Sequence, residues 1–523
     1  MENIGEPLQA AVPIAHKHGL EIYGVLKPYN TGSSGTYPEG SPEPQRSSIQ
    51  HMGGSILQAI TFLERHPHTR LRRRAYDAPP GLERAAVRKV RLLKRDDAPT
   101  RIKKEHMEVW TSPNNYRYRR KHVPFTLKEA VEPAPREVRD YYGELVTARG
   151  APVRTLTLEG LDLDDRFILV TTNFRDDAGD FMNTPVGMIE AYDDGPEPMP
   201  IVVASSSALW NAPRDFRDYG LEYDSSLGTL QVALDEDNSS QPDRSSWRAH
   251  QSGGIIAFAR GKNEHVPAMP CEMYPEVRKL WSGWIDRMLT AGVDGIDLRI
   301  SSHGNLVDEP WEYGFNEPVL GEYRRRYGQD FGGDDSELGR IAEIRGDHYT
   351  DFVRETSRKV HGAGKKMQFH MHTEAFRPEP VHGQIMGFPP HLDFQWRTWL
   401  REGLADGITL RTSWFEAWED QPEGKAARSL LSTAMADPVV VEALALAQEL
   451  GVPAYLNRYL GRAVDMQGYL SDMEAAYNDP RLAGFDLYEY SILAHATTDG
   501  SDLVPVGDKI ELIGAKSRQL GLA

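Results

Sequence analysis

The 523-residue chain contains a single cysteine, Cys271. One thiol cannot form an internal disulfide, and it excludes a cysteine-based zinc or iron–sulfur site within one chain. The chain also lacks an apolar run of 18 residues, so no membrane span is predicted. Its amino terminus lacks the charged, apolar and small-residue order of a secretion signal. The sequence as given therefore predicts a cytoplasmic protein, with a start further upstream left open.

Basic residues are in the minority. The 60 Lys and Arg residues stand against 77 Asp and Glu residues, which gives a formal net charge of −17. Binding of nucleic acid needs a basic surface, so a general nucleic-acid binder is excluded. The chain also has no phosphate-binding Gly loop, no dinucleotide fingerprint and no Gly-x-Ser-x-Gly elbow. Nucleotide-binding and serine-hydrolase classes therefore have no support in the sequence.

What the chain does contain is a repeat. Residues 293–301 read VDGIDLRIS, residues 405–413 read ADGITLRTS, and residues 484–493 (GFDLYEYSIL) have a similar form. Each is a short apolar run that follows a helix-like segment, which is the pattern of a parallel sheet covered by helices. We therefore predict an α/β fold, and specifically a (β/α)8 TIM-type barrel.

The pattern predicts both the strands and the helices of this barrel. The predicted parallel strands are 20–28, 254–260, 295–301, 366–372, 407–412, 453–459 and 484–492, and the predicted helices between them are 274–291, 317–330, 338–363, 437–450 and 467–478. Seven strands are one fewer than a closed barrel contains, so either the first strand is missing or the amino terminus fills its place differently.

Composition divides the chain into four segments. Residues 1–50 are predicted to start the barrel and residues 251–523 to complete it. Residues 51–150 carry many Arg and Lys residues and are predicted to be an irregular, solvated basic insertion, with a docking surface as the alternative. Residues 151–250 contain short runs at β-like spacing and are predicted to form an antiparallel, sandwich-like insert.

Three stretches carry a resemblance to known proteins: AHKHGLEIYGVLKPYNTG, AGVDGIDLRIS and YGFNEPVLGEYRRRYG. They resemble the glycosyl-hydrolase-like (β/α)8 barrel proteins of the family-ten-like group of bacterial carbohydrate-active proteins. The resemblance covers roughly residues 10–35 and 254–500, and it implies a barrel fold and a carbohydrate substrate. One position departs from the group, because Arg299 stands where an Asp is common and Asp297 takes the variable position.

Because side chains alternate along a strand, one parity of each strand faces the barrel interior. Glycoside hydrolysis needs two carboxyl groups, one that protonates the leaving oxygen and one that attacks or activates water. Glu489, Glu374 and Asp297 lie late in predicted strands and are the candidate catalytic residues. The alternative for each is a structural ion pair with a barrel arginine.

Other polar and aromatic residues near the same strand ends are predicted to bind substrate. They are Arg299, His303, His370, His372, Trp396, Arg411, Trp414, Asn457, Arg458 and Tyr29. Three arginines at one barrel mouth need either internal carboxylate partners or an anionic substrate such as a uronic or sulfated sugar.

The sequence therefore predicts a glycoside hydrolase that acts on a polysaccharide or oligosaccharide without a cofactor. Two alternatives stay open. In the first, His370 and His372 hold a divalent metal in a metal-dependent barrel hydrolase. In the second, the barrel binds glycans without cleaving them. The predicted partner is a carbohydrate, with no nucleic acid and no membrane, and an oligomer is left open.

Overall fold

The structure is a computed structural model. It describes residues 7–29, 62–63, 66–82, 84–113, 119–139, 145–172, 189–205, 256–262, 264–299, 310–372, 389–411, 435–459, 466–488, 493–496 and 502–522.

The described strands, in chain order, are β1 Tyr23–Leu26, β2 Arg70–Arg72, β3 Val87–Leu93, β4 Met107–Ser112, β5 Arg119–Arg120, β6 Thr126–Pro133, β7 Val138–Arg139, β8 Leu145–Thr147, β9 Pro152–Leu163, β10 Phe167–Thr172, β11 Ile189–Tyr192, β12 Ile201–Ser205, β13 Ile256–Arg260, β14 His265–Pro270, β15 Gly295–Arg299, β16 Lys366–His372, β17 Gly407–Arg411, β18 Ala454–Tyr459, β19 Gly484–Tyr488, β20 Ala494–Ala496 and β21 Leu503–Pro505.

The described α-helices are α1 Pro7–Lys17, α2 Pro275–Ala291, α3 Glu317–Tyr327, α4 Leu338–Gly362, α5 Trp396–Arg401, α6 Pro438–Leu450, α7 Met466–Asn478 and α8 Lys509–Gln519. Short 3₁₀ turns occupy Pro67–Thr69, Lys104–His106, Pro310–Glu312 and Asp335–Glu337. In the described part of the chain, no helix is both long enough and apolar enough to cross a bilayer.

Six strands form one parallel sheet in the order β1-β15-β16-β17-β18-β19. In the described ranges, one helix, or two in the case of α3 and α4, lies between each pair of consecutive strands of this sheet along the chain, and all of these helices except α5 were predicted. All five residues of β15 and of β17 are buried, which is expected when a parallel sheet is covered on both faces. The protein is therefore a mixed α/β protein built around a curled six-stranded parallel sheet.

The two Asp-Gly repeats start two of these strands in the same way. The Asp294 carboxylate accepts from the Ile22 backbone N–H at 2.9 Å and lies 2.8 Å from His16 Nε2. A matching pair of contacts joins the Asp406 carboxylate to the Met367 N–H at 2.7 Å and to His361 Nε2 at 2.8 Å. Each Asp thus ties the start of its strand to the neighbouring strand and to the helix before that strand.

The glycine of the first repeat is required by close packing. A Cβ atom at Gly295 would lie 2.8 Å from the Lys366 carbonyl oxygen and would overlap the Tyr23 ring. Both neighbours belong to adjacent segments of the parallel sheet, because Tyr23 and Lys366 are the register partners of Gly295. The Asp-Gly repeat therefore has a structural role, because it allows a parallel strand to begin in close contact with its neighbours.

Two antiparallel sheets form the second part of the fold. One has the strand order β12-β13-β10-β4-β5 and the other β11-β3-β9-β6. A single apolar cluster contains residues of both sheets, among them Val90, Leu158, Ile168, Val170 and Phe258. The two sheets thus share one core, as in a sandwich.

The prediction that 254–260 is a barrel strand is wrong. These residues contribute β13, which pairs antiparallel with β10 and β12, and β1 pairs directly with β15. An apolar run shows burial but not strand direction. Unlike the Asp-Gly repeats, this run has no predicted helix before it in the sequence, and its partner β12 belongs to the β-rich segment.

The prediction that residues 51–150 are irregular is also wrong, since this range contains β2 to β8. The strand pattern is not evident in the sequence because basic residues occupy strand positions. Some of these residues form ion pairs with acidic residues on neighbouring strands. Arg91 forms ion pairs with Glu132 and Glu190, and Lys128 pairs with Glu159 at 2.5 Å. Some of the basic charge of this segment is therefore paired across the antiparallel sheet. The four-segment division of the chain stays a prediction.

Candidate functional site

Polar side chains cluster where the parallel strands end. Three of the strands, β15, β17 and β19, begin with a glycine. The residues two and four positions after that glycine are Asp297 and Arg299 on β15, Thr409 and Arg411 on β17, and Asp486 and Tyr488 on β19. His370 and His372 of β16 and Asn457 of β18 are paired in register with this set. Asp297, Arg299, His370, His372, Arg411 and Asn457 are each at most 9% exposed. Burying so many polar groups is costly, so their concentration at one edge marks a candidate active site.

Two guanidinium groups meet at one tyrosine. Arg299 Nη1 donates to the Tyr488 hydroxyl at 2.9 Å, and the Arg299 guanidinium carbon lies 4.7 Å from the centre of the Tyr488 ring. The Arg411 guanidinium carbon lies 4.3 Å from the same ring centre. Cation–π attraction and the hydrogen bond hold the two arginines close together although they leave different strands. Arg299 and Arg411 thus contact the same ring, and their role in substrate binding stays a prediction.

Asp297 and His370 form a second contact at this edge. His370 Nδ1 lies 3.5 Å from Asp297 Oδ2, and the His370 ring stacks on the His372 ring with centroids 5.6 Å apart. Burial, followed by the positive charges of Arg299 and Arg411, lowers the pKa of His370 despite the adjacent Asp297. His370 is therefore a neutral imidazole at neutral pH.

The other carboxylate oxygen of Asp297 and the other ring nitrogen of His370 take no part in this contact. Asp297 Oδ1 and His370 Nε2 are buried, and neither has a hydrogen-bond partner within the described ranges. Buried polar atoms are rarely left unpaired, and such exceptions concentrate at functional sites. These two atoms are therefore the points of the site best placed to contact a ligand.

A third contact joins the last two strands of the sheet. The Asn457 side-chain amide donates to Asp486 Oδ2, while Asn457 Oδ1 is buried without a partner among the residues described. Asp486 is a site carboxylate that the sequence analysis missed. The opening glycines could have identified it, because Asp486 follows Gly484 at the same distance as Asp297 follows Gly295.

Gly484, not the apolar residues of β19, indicates which residues of this strand face the site. Phe485 and Leu487, which share the parity of Glu489, do not lie on that face. Instead, the Phe485 ring packs edge-on against Tyr469 of α7, and Leu487 belongs to the same apolar cluster. Gly484 sets the interior parity on Asp486 and Tyr488, which contact Asn457 and Arg299. Glu489 itself lies outside the described residues.

Three other predicted substrate contacts are placed elsewhere. Arg458 donates to Asp472 of α7 at 2.8 Å, so it faces the helices and not the interior. Its even number gives it the opposite parity to Asn457 on β18. Trp396 is a core residue of α5, with the neighbouring Arg397 guanidinium 4.5 Å from its ring centre. The sequence placed Trp396 near a strand end, but helix packing buries its ring.

Tyr29 is likewise a core residue. Its side chain is fully buried, and its hydroxyl donates to Glu272 Oε2 at 3.1 Å. Glu272 also accepts two bonds from Arg345, at 2.7 and 2.8 Å. Burial raises the pKa of Tyr29 well above its ordinary value, so Tyr29 serves as a neutral donor to this buried ion pair.

Four predicted site residues, Glu374, Glu489, His303 and Trp414, lie outside the described residues. Of the alternative metal ligands, His370 and His372 are not part of any group of three metal-ligating side chains in the described ranges. A metal held by this pair with the undescribed residues stays a prediction.

Comparison with known proteins gives little further information. No family model matches this chain, and no curated protein matches it in sequence. Among solved structures, the chain is similar to the PgaB (BpsB) glycoside hydrolase domain from Bordetella bronchiseptica, with a TM-score of 0.30 and 10% sequence identity. That match covers 49% of this chain and 64% of the other, which is less than two thirds of it. A likeness this distant carries no argument about activity.

Proposed function

We propose that this chain is a glycoside hydrolase, in which the curled parallel sheet belongs to a (β/α)8 barrel with its active site at the carboxyl ends of the strands. One observation carries the proposal. Asp297 is a buried carboxylate two residues before the carboxyl end of β15, with Oδ2 facing His370 and Oδ1 without a partner among the described residues. Active sites of such barrels lie at this edge.

The reaction needs two carboxyl groups. We assign Asp297 as the carboxylate that attacks the anomeric carbon or activates water, because His370 orients it and its other oxygen is available. A second carboxylic acid gives its proton to the leaving oxygen as the glycosidic bond breaks, and water supplies the new hydroxyl group. Asp486 is the described candidate for that acid, and Glu374 and Glu489 are the candidates outside the described residues. No cofactor takes part.

The charge of the site supports an anionic sugar as substrate. Arg299 and Arg411 both lie against Tyr488 at the strand ends. Paired guanidinium groups bind carboxylate and sulfate through parallel, charge-assisted hydrogen bonds. A uronic or sulfated residue placed at this pair would bring its neighbouring glycosidic bond towards Asp297 on the same strand as Arg299.

The test is a panel of purified polysaccharides, uronate-containing, sulfated and neutral, incubated with the full chain and followed by product analysis. Release of oligosaccharides from a charged polymer supports the proposal. Release from neutral polymers alone contradicts the assignment of an anionic substrate. Binding of glycans without any cleavage selects the non-catalytic alternative.

Treatment with a chelator distinguishes the metal-dependent alternative from the proposed carboxylate mechanism. The proposed carboxylate mechanism keeps its rate after EDTA treatment, since no step uses a metal. Loss of activity in EDTA that zinc restores would assign the chemistry to a metal at His370 and His372, provided that the restored activity is lost in His372→Ala.

A further inference from the structure

A second cluster of chemically active side chains lies away from the proposed active site. His66, His68 and Glu276 each offer one ligand atom, and these atoms all lie within 4.8 Å of one another. His66 and His68 flank Pro67 just before β2, while Glu276 lies in the first turn of α2. None of the three belongs to the Asp297–His370 site.

The geometry of the cluster suits a metal ion. Zinc bonds of about 2.0–2.2 Å at tetrahedral angles place ligand atoms roughly 3.3 Å apart. His68 Nε2 lies 3.2 Å from Glu276 Oε1, which fits such an edge. Two imidazoles and one carboxylate are a ligand set that zinc uses in proteins with solvent in the fourth position.

The two imidazoles are held in place by neighbouring rings. The Phe62 ring packs on His66 with centroids 4.6 Å apart, and the Tyr274 ring contacts His68 edge-on at 5.2 Å. Ligands with fixed rings lose less conformational entropy when they bind a metal. The chain therefore restricts both histidines before any metal arrives.

The backbone of this segment is also restrained. The Thr69 hydroxyl donates to the His66 carbonyl at 2.7 Å, and Arg70 Nε donates to the Pro67 carbonyl at 2.9 Å. The Asn316 side-chain amide donates a hydrogen bond to the carbonyl of Arg70, the residue after Thr69, at 2.7 Å. These bonds fix the turn from which both histidines project.

The carboxylate is suited to the same role. Glu276 presents Oε1 to His68 Nε2 from the first turn of α2, and a carboxylate oxygen is a ligand that zinc accepts. The remaining two ligands are histidines, and neutral imidazole is a common zinc ligand.

We propose that His66, His68 and Glu276 form a zinc-binding site that ties the segment before β2 to the amino end of α2. This site is independent of the proposed hydrolase function. Zinc bound there would link the β2–β14 ribbon to the helix that leads into β15, because β2 pairs with β14. The expected consequence is a rise in thermal stability when zinc is added to the EDTA-treated chain.

The experiment is a calorimetric titration of zinc into the EDTA-treated full chain, with thermal unfolding measured alongside. The variants are His68→Ala and the near-isosteric Glu276→Gln. His361→Ala is the matched control, because His361 also lies 2.8 Å from a carboxylate, that of Asp406, but belongs to no three-ligand group within the described ranges.

Loss of an outer-shell partner typically weakens metal binding by about 10–100-fold, and loss of a ligand should cost at least as much. His68→Ala and Glu276→Gln should therefore weaken zinc binding by at least about ten-fold and reduce the zinc-dependent rise in melting temperature. His361→Ala should change neither. Absence of zinc binding, or zinc binding that Glu276→Gln leaves unchanged, overturns the proposal. Glu276→Gln keeps the test valid if His68→Ala fails to fold.

Discussion

Arg299 of β15 donates a 2.9 Å hydrogen bond to the hydroxyl of Tyr488, which lies on β19, four strands away in the same sheet. Neighbouring strands are about 4.8 Å apart, so a flat sheet would separate these two strands by roughly 19 Å. Side chains of a flat sheet also stand roughly perpendicular to it. The two residues can meet only because the sheet curls, and this curl brings the strand ends together into one site.

Removal of the Tyr488 hydroxyl tests this contact. Tyr488→Phe should lower the free energy of unfolding by about 1–2 kcal/mol, because it removes a hydrogen bond to a charged donor while keeping the ring. Urea denaturation of both proteins measures the difference. Tyr327→Phe is the matched control, since the Tyr327 ring also lies 4.6 Å from a guanidinium carbon, that of Arg340. The control should change stability by no more than about 0.5 kcal/mol. Equal effects would contradict a specific role for the hydroxyl.

Two ion pairs of the fold provide a second matched comparison. Arg345 bonds both carboxylate oxygens of Glu272 at 2.7 and 2.8 Å, and Arg354 bonds both oxygens of Glu402 at 2.7 and 2.8 Å. The first pair is 0% exposed on both sides, whereas the second is 36% and 37% exposed. The two pairs share a bidentate geometry and differ in burial, and Glu272 also accepts a hydrogen bond from Tyr29.

Glu272→Gln should therefore cost about 3–5 kcal/mol, because it leaves the Arg345 charge buried without its partner. Glu402→Gln should cost no more than about 1 kcal/mol, because water screens an exposed pair. Chemical denaturation of the two variants gives both values. A loss at Glu402 as large as that at Glu272 would mean that burial is not the source of the difference.

Stability should also depend on His391 at acid pH. Burial lowers the pKa of His391 from 6.5 to about 4 in the fold, although its Nε2 lies 2.7 Å from the Trp311 carbonyl oxygen. Between these two values the unfolded chain binds a proton that the folded chain does not. His391 therefore contributes stability above pH 6.5, and this contribution is lost as the pH falls towards 4.

Asparagine is the replacement that isolates this titration. His391 has a φ of 47°, and Asn tolerates the left-handed region better than most residues. Denaturation curves at pH 7 and at pH 4 should show a smaller acid-induced loss of stability for His391→Asn than for the native chain. An unchanged pH dependence would show that this imidazole does not titrate differently in the folded and unfolded states.

The sequence was sufficient to predict most of the parallel sheet. The repeats predicted β15 and β17, and the other predicted helices and strands from α2 to β19 are present, but the short helix α5 was not predicted. Such predictions succeed because an Asp-Gly start, a buried apolar run and a capped helix are local features. Arg299 and Arg411 are the last residues of β15 and β17, and Asp297 lies two residues before Arg299; their roles as site residues stay predictions.

The errors have a common physical cause. The direction of β13 and the cross-strand ion pairs of β3 depend on partners distant in sequence, which a local pattern does not contain. Tyr29 and Trp396 follow or precede strands, but packing against helices buries them. Asp486 was missed because its match to Asp297 appears only when both are counted from their opening glycines, Gly484 and Gly295. The curl itself, which joins Arg299 to Tyr488, has no local sequence signature.

The central claim, that Asp297 is a catalytic carboxylate at the rim of the curled sheet, is tested most directly by one comparison. Release of reducing ends from a uronate-containing polysaccharide is measured for the native chain, for Asp297→Asn and for Asp351→Asn, an exposed helix position 53% accessible in its side chain. The account predicts that Asp297→Asn folds normally and loses at least about 100-fold in rate, while Asp351→Asn keeps the native rate. Native turnover by a folded Asp297→Asn protein would contradict the account.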